Sequence, residues 1–378
     1  MPQTSPPFAS FLMGGFECSS HRRRDRTRLD LIAATQHDRF ARQDYDRLRA
    51  RGILTARDGL RWHLIETRPG SYDFSSFLPM LRASRAAGVQ VIWDLMHYGW
   101  PDDTNPLAPG FTARAAAFAG AVARLLAAEG ETAPWLVPVN EISFLAWAGG
   151  EVGYMNPWRE GEGHRLKRRL VQASLAMMDA VWAELPAARF LHTEPLIHVV
   201  AHPQRPADAP NAAAFNRGQF EAWDMLAGTL HPELGGHPRY LGLLGVNYYG
   251  QNQWVHHDSP AERELLPPGH PWRRPLDEML QEVWQRYGRP LCIAETGAEG
   301  DARVPWLRSV GEEVRRAMSA RAPVQGLCFY PILDYPGWDD DRHCPTGLWG
   351  YADDAGHRPE YPPLAEELAA QAQAFAAL

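Results

Sequence analysis

PWLVPVNEISFLAW, residues 134–147, is an apolar run that stops at Asn140-Glu141 and continues as a second apolar segment. Trp135, Leu136, Val137 and Val139 are nearly continuous, as in a strand buried on both faces of a helix-covered parallel sheet. The same unit recurs along the chain. Strand-like stretches at 10–17, 52–60, 89–96, 134–140, 188–194, 241–249, 289–295 and 324–332 alternate with helical patterns near 38–51, 75–88, 112–129, 162–184, 211–227, 275–287, 302–320 and 363–377. Several of these helices stop at a glycine, such as Gly52, Gly88 or Gly130. A polar residue marks each strand end: Glu17, Arg61, His97, Glu141, Glu194, Asn247, Glu295 and Asp334, spaced by 44, 36, 44, 53, 53, 48 and 39 positions. That beat predicts an α/β fold, a single (β/α)8 TIM barrel spanning 1–378, with 1–9 as a flexible N-terminal tail. A doubly wound open sheet would carry a glycine-rich phosphate turn after its first strand, and MGGFECSSH (13–21) is not GxGxxG. The stretches 202–210 and 256–275 read as long loops on the C-terminal rim of the barrel.

Composition narrows the class of function. The 378 residues are 45% hydrophobic and 22% charged, with 38 basic and 45 acidic side chains and a net charge of -7. Such a chain folds as an ordinary globular protein, and its charge attracts neither a phosphate backbone nor anionic lipid. No nucleic-acid or membrane partner is expected, and no stretch reads as about 18 continuous apolar residues. The 14 Trp, 12 Tyr and 14 Phe suit stacking on sugar rings. Cys18, Cys292, Cys328 and Cys344 form no CxxC pair, and the N-terminus lacks a basic segment followed by an apolar one. A cytoplasmic protein with free thiols is expected. The 15 His include no HExxH and no HxH at a strand end, and WDDDRH (338–343) lacks the spacing of a calcium loop, so no metal or cofactor is expected.

The chemistry lies in two carboxylates. Glu141 follows the fourth strand, and Glu295, in RPLCIAETGAEGD (289–301), ends the seventh. In one barrel both face the same mouth. Cleaving a glycosidic bond requires one carboxylic acid to protonate the leaving oxygen and one carboxylate to attack or stabilise the anomeric carbon.

With those residues in view, the chain resembles glycoside hydrolase family 1, the β-glucosidase-like branch of the (β/α)8 retaining glycosidases, from about Phe11 to Pro362. VNEI is similar to the family's NEP acid/base motif, IAETG to its nucleophile motif, GVNYYG to its sixth-strand motif and LMHYGWPDD to the third-strand motif with a sugar-binding His. GLWGYADDAGHRPEYP resembles the C-terminal stretch leading into the last helix. The resemblance implies that Glu141 is the general acid/base and Glu295 the nucleophile. It implies Asn140 at the sugar 2-OH, Arg61 (in GLRW) beside the nucleophile, Tyr249 hydrogen-bonded to it with Asn247 nearby, and His97 and Trp338 against the sugar ring. A β-linked glycoside would be cleaved by double displacement, with the carboxyls about 5 to 5.5 Å apart.

Three positions depart from the family pattern. His21 stands where a Gln grips the outer hydroxyls, Gly337 where a Glu precedes Trp338, and Tyr330 where an indole floors the site. These changes leave the reaction class intact and alter the sugar subsite. Glu17 and Glu194, at other strand ends, are candidates for sugar contact or for support of the catalytic pair. The five arginines of HRRRDRTR (21–28) follow the first strand; they form either a solvated loop or a site for an anionic sugar or leaving group. Other readings of the same residues are a transglycosylase using both glutamates, a catalytically silent carbohydrate-binding barrel, and a partner in a larger biosynthetic assembly.

Overall fold

The computed structural model describes residues 6–259 and 262–378. Eight parallel strands close a barrel: β1 Leu12–Gly15, β2 Thr55–Gly59, β3 Gln90–Asp94, β4 Trp135–Val137, β5 Arg189–Pro195, β6 Leu243–Asn247, β7 Leu291–Thr296 and β8 Val324–Phe329. Six lie inside the expected stretches, and β5 and β7 each run one residue past theirs. Closure runs through β1, where Met13 pairs with Cys328 of β8 on one side and Thr55 of β2 on the other. The helices Leu78–Ala87, Leu276–Tyr287 and Pro362–Ala376 fall within two or three residues of expectation. The pattern over 211–227 resolves into two helices, Ala209–Gly218 and Glu221–Ala227.

Two layers of apolar packing hold the barrel. The larger lies between strands and helices and includes Leu136, Val246, Ile293 and Leu327; the smaller fills the interior with Met13, Ile92, Val137, Leu191, Cys292 and Cys328. Each fully buried aliphatic side chain contributes roughly 1.5–3 kcal/mol before entropy is counted. Residues 1–5 of the expected N-terminal tail lie outside the described residues. Its remainder is not a tail. Phe8 packs into the interior layer 5.3 Å from the Trp135 ring, and the Pro7 carbonyl accepts from Trp135 Nε1 at 3.2 Å and Gln90 Nε2 at 3.3 Å. An apolar plug over the N-terminal end of the barrel is the physical reason this segment is ordered.

The loops after β5 and β6 contain a small sheet, His198–Val200 beside Gln253–Val255 and then Glu264–Leu265. The helix Phe111–Ala128 is long and apolar enough to cross a membrane by length and composition, contrary to the expectation that no segment would be. Half of it is buried, and it packs against the helix Gly163–Glu184 in the outer layer.

Candidate active site

β7 carries Glu295 to the barrel mouth through a distorted ladder. Its register slips against β6 between Ile293 and Glu295 and against β8 between Ile293 and Thr296. An irregularity of this kind re-aims a strand-end side chain. Glu295 then accepts from two donors, Arg57 Nη1 on Oε1 at 2.6 Å and Tyr249 OH on Oε2 at 2.8 Å. Arg57 is 1% exposed and spends its other N–H groups on Asp94, through Nε at 2.9 Å and Nη2 at 2.6 Å, and on Asn140 Oδ1 at 2.7 Å. A charge this deep is tolerated because its fork is saturated by carboxylates and an amide oxygen.

The strand-two arginine beside Glu295 is therefore Arg57, and the expectation of Arg61 is corrected. Alternation along β2 turns Arg57 into the barrel and Asp58 outward, where His37 Nε2 (3.0 Å) and the Tyr45 hydroxyl (2.6 Å) hold it. Arg61 lies beyond the strand at the start of the short helix Trp62–Ile65. Its guanidinium pairs with Asp38 at 2.7 Å and Asp30 at 3.5 Å.

Glu141 sits across the mouth at the turn from β4 into the short helix Ile142–Leu145, with φ of 44°. Left-handed backbone is costly for a non-glycine residue. Here it is held by Glu141 N donating to Thr193 O at 3.0 Å. Asn247 Nδ2 donates to Glu141 Oε1 at 2.9 Å and the Tyr98 hydroxyl donates to Oε2. Burial, with the charge of Glu295 second, pushes the Glu141 carboxyl up to about 7 against the opposing hydrogen bonds of Tyr98 and Asn247.

Asn140 links the two halves. Its Oδ1 accepts from Arg57 and from Thr193 Oγ1 at 2.8 Å, which orients Nδ2 to donate to the Tyr98 hydroxyl at 2.9 Å and to His97 Nε2 at 3.0 Å. His97 Nδ1 in turn donates to Asp94 Oδ2 at 2.9 Å. Burial disfavours protonation of this ring, but Asp94, Glu17 and Glu295 outweigh it and raise its pKa.

The walls contain the remaining expected residues. Tyr330 lies nearly parallel to His97, with ring centroids 6.3 Å apart. Gly15 permits this, since a Cβ there would stand 2.0 Å from the Tyr330 ring. His21 packs 4.6 Å from Trp338, and burial, followed by the charges of His97 and Arg23, drops its pKa to about 3. Glu17 accepts from Ser19 N at 3.0 Å and is within electrostatic reach of His97 and Glu295. Eleven positions were expected at the site; Glu17, His21, His97, Asn140, Glu141, Asn247, Tyr249, Glu295, Tyr330 and Trp338 surround one mouth, and Arg61 does not.

Two site residues escaped the sequence reading. Arg57 has a signal in hindsight, a charge at an inward position of a buried strand. Tyr98 has a weaker one, an aromatic neighbour of His97 whose positive φ of 65° turns its hydroxyl to Glu141. Glu194 stands behind the site, where Ser143 N donates to both its oxygens at 3.1 and 3.3 Å and burial pushes its pKa up to about 8. Four of the five arginines of 21–28 brace the rim, and Arg24 is exposed. Arg23 pairs with Asp341 and donates to Gly337 O, Arg28 pairs with Asp102, and Arg22 and Arg26 stack on Trp158.

Cys18, Asp94 and His97 are near enough to one another to hold a metal ion. The Arg57 fork occupies both Asp94 oxygens, and burial keeps Cys18 protonated, so this group has the chemistry of a hydrogen-bonded network.

No family model and no curated protein matches the chain. Solved structures do. A β-glucosidase from Thermotoga maritima in complex with glucoimidazole superposes with a TM-score of 0.76 at 13% identity, covering 95% of this chain and 97% of that one. The AHE enzyme from Alicyclobacillus herbarius gives 0.77 at 19% identity, covering 96% and 98%. A Thermotoga maritima family 1 glycoside hydrolase with a cyclophellitol analogue gives 0.75 at 12%, covering 96% and 98%. This chain has their fold over nearly its whole length.

Proposed function

We propose that this protein is a family 1-type retaining β-glycosidase that uses Glu295 as nucleophile and Glu141 as general acid/base. The observation that carries the reading is the contrast between two carboxyls in one pocket. Glu141, raised to about 7 by burial and by Glu295, is held in the acid form near neutrality, whereas Glu295 is ion-paired with Arg57. Divergent environments for two facing carboxyls are how acid and nucleophile are assigned.

In the first step a Glu295 oxygen attacks the anomeric carbon as the glycosidic C–O bond breaks. Glu141 gives its proton to the departing oxygen. In the second step Glu141, now a carboxylate, removes a proton from water; the water oxygen attacks the anomeric carbon, the ester to Glu295 breaks, and the starting states return. Tyr249 and Arg57 take up the charge that returns to Glu295. Asn140, oriented by Arg57 and Thr193, is the group assigned to the sugar 2-OH, and Tyr330 and Trp338 supply the apolar faces. The fold shared with β-glucosidases supports the reaction class. The four cysteines are unpaired and buried, which is compatible with the cytoplasmic location included in this reading.

The test is a panel of aryl β-glycosides. Turnover with the β-anomer of the free sugar formed first, seen by proton NMR, and losses of about 10³-fold or more in kcat for Glu141→Gln and Glu295→Ala support the reading. Turnover unchanged in Glu295→Ala contradicts it.

A further inference from the structure

The two-step reaction makes no use of the arginines at 21–28, yet three of them meet a fourth guanidinium in one rim cavity. Its volume is about 290 Å³; Arg22, Arg26 and Arg28 line it from the loop after β1, Asp102 from the loop after β3, and Arg159 from the segment after β4. Small-molecule sites begin at roughly 300 Å³. Bonds between the three segments fix the walls. Arg22 N donates to Asn156 Oδ1 at 2.6 Å, Asn156 N donates to Arg22 O at 3.0 Å, Trp158 Nε1 donates to Arg23 O at 2.9 Å, and Arg28 Nη2 donates to Trp100 O at 3.0 Å. The guanidinium carbons of Arg22 and Arg26 lie 5.0 and 4.7 Å from the centre of the Trp158 ring. Like charges are thus held together in a hollow formed in advance of any ligand.

Their counter-charge is incomplete. Asp102 is the one carboxylate in the lining; it pairs with Arg28 and stands 3.4 Å from Arg22 Nη1. Asp25, in the same turn as the arginines, accepts instead from Thr27 N at 2.9 Å and Thr27 Oγ1 at 2.7 Å. Arg26 and Arg159 pair with no carboxylate among the described residues. Burial disfavours the charged form of Arg28, and the charge of Arg22 adds to this against the attraction of Asp102. Backbone cost is concentrated at the same place. Arg26 has φ of 72° and Trp158 φ of 54°, left-handed conformations that are unfavourable for any residue with a Cβ and an outlier for one as bulky as Trp. Such cost persists at ligand clamps, where the surroundings enforce it. Here the two strained residues are a pair that stack in the cavity wall. Several guanidinium forks facing one carboxylate match a group with two or more negative oxygens, which each fork can bind bidentately.

We infer that this rim cavity is a binding site for a phosphoryl group, carried on a small phosphate monoester or present as the free ion. None of its lining residues belongs to the catalytic mouth, so the site stands apart from the glycosidase reading and is tested without turnover.

The experiment is titration calorimetry of the full chain at low ionic strength, with inorganic phosphate and with phenyl phosphate as probes. Wild type should bind at least one of them in a one-to-one complex that saturates below about 10 mM. Tighter binding of phenyl phosphate identifies a monoester as the occupant; otherwise the free ion is the occupant. Arg26→Gln should weaken the preferred probe by about five-fold or more, because a charge-assisted contact is lost. Arg26 makes no ion pair among the described residues, so this variant keeps its fold, which circular dichroism checks. Arg24→Gln removes the same charge from an exposed position of the same loop that does not line the cavity, and it should stay within about two-fold of wild type. Absence of saturable binding of both probes, an Arg26→Gln affinity equal to wild type, or a loss in Arg24→Gln as large as that in Arg26→Gln overturns the site. The last result would mean diffuse attraction to a basic loop.

Discussion

Arg57 Nη1 stands 2.6 Å from Glu295 Oε1, joining β2 to β7 across the barrel interior. The same guanidinium holds Asp94 and Asn140, so one side chain positions Glu295, the carboxylate partner of His97 and the amide next to Glu141. Removing it leaves two buried carboxylates without their cation.

Arg57→Met should therefore destabilise the fold by about 3–5 kcal/mol and lower kcat by about 10²-fold or more in whatever folds. Arg61→Gln should leave kcat/KM within about three-fold of wild type, because its partners Asp30 and Asp38 lie outside the mouth. Urea unfolding and steady-state kinetics on the two variants check both. Equal catalytic damage from the two would contradict the placement.

A general acid must carry its proton to work, and Glu141, proposed above for that role, is raised to about 7. Activity should accordingly be lost as pH rises through about 7, and kcat/KM against pH should show that alkaline limb. Glu141→Gln should abolish the limb and spare a 2,4-dinitrophenyl glycoside, whose leaving group needs no protonation, relative to an alkyl one.

Tyr98 donates to Glu141 Oε2 and so favours the carboxylate. Tyr98→Phe should move the alkaline limb to higher pH. A limb that moves to lower pH would mean that the hydroxyl does not stabilise the ionised form.

Behind β2, His37 lies buried between Asp58 (3.0 Å) and Asp44 (2.9 Å). Burial alone would lower its pKa, but the two carboxylates raise it to about 9. The folded state thus binds the proton more tightly than the unfolded chain, whose His titrates at about 6.5. The resulting stability is complete below about pH 6.5 and is lost as pH rises through about 9. Guanidinium unfolding should show wild type losing a few kcal/mol more than His37→Gln over that interval.

Strand number, strand order and both glutamates are legible in the chain, because a parallel barrel strand is a nearly continuous apolar run with a polar terminus, and VNEI and IAETG each show that shape. Arg57 was obscured by the same rule. A search for polar residues at strand ends selects Arg61, whereas Arg57 sits inside TARDG, where only alternation across the pleat identifies it as interior. Tyr98 depends on a left-handed backbone that has no clear sequence marker when the residue is not glycine. Phe8 shows a comparable limit at the N-terminus: one aromatic in a proline-rich segment gives no periodicity, yet it fills the end of the barrel.

The most direct test of the account is covalent. An activated 2-deoxy-2-fluoro-β-glycoside of the sugar found to be turned over should inactivate the enzyme with time, and mass spectrometry of the digested protein should locate one glycosyl ester on Glu295. An adduct on another residue, or hydrolysis that inverts the anomeric centre and forms no adduct, would contradict it.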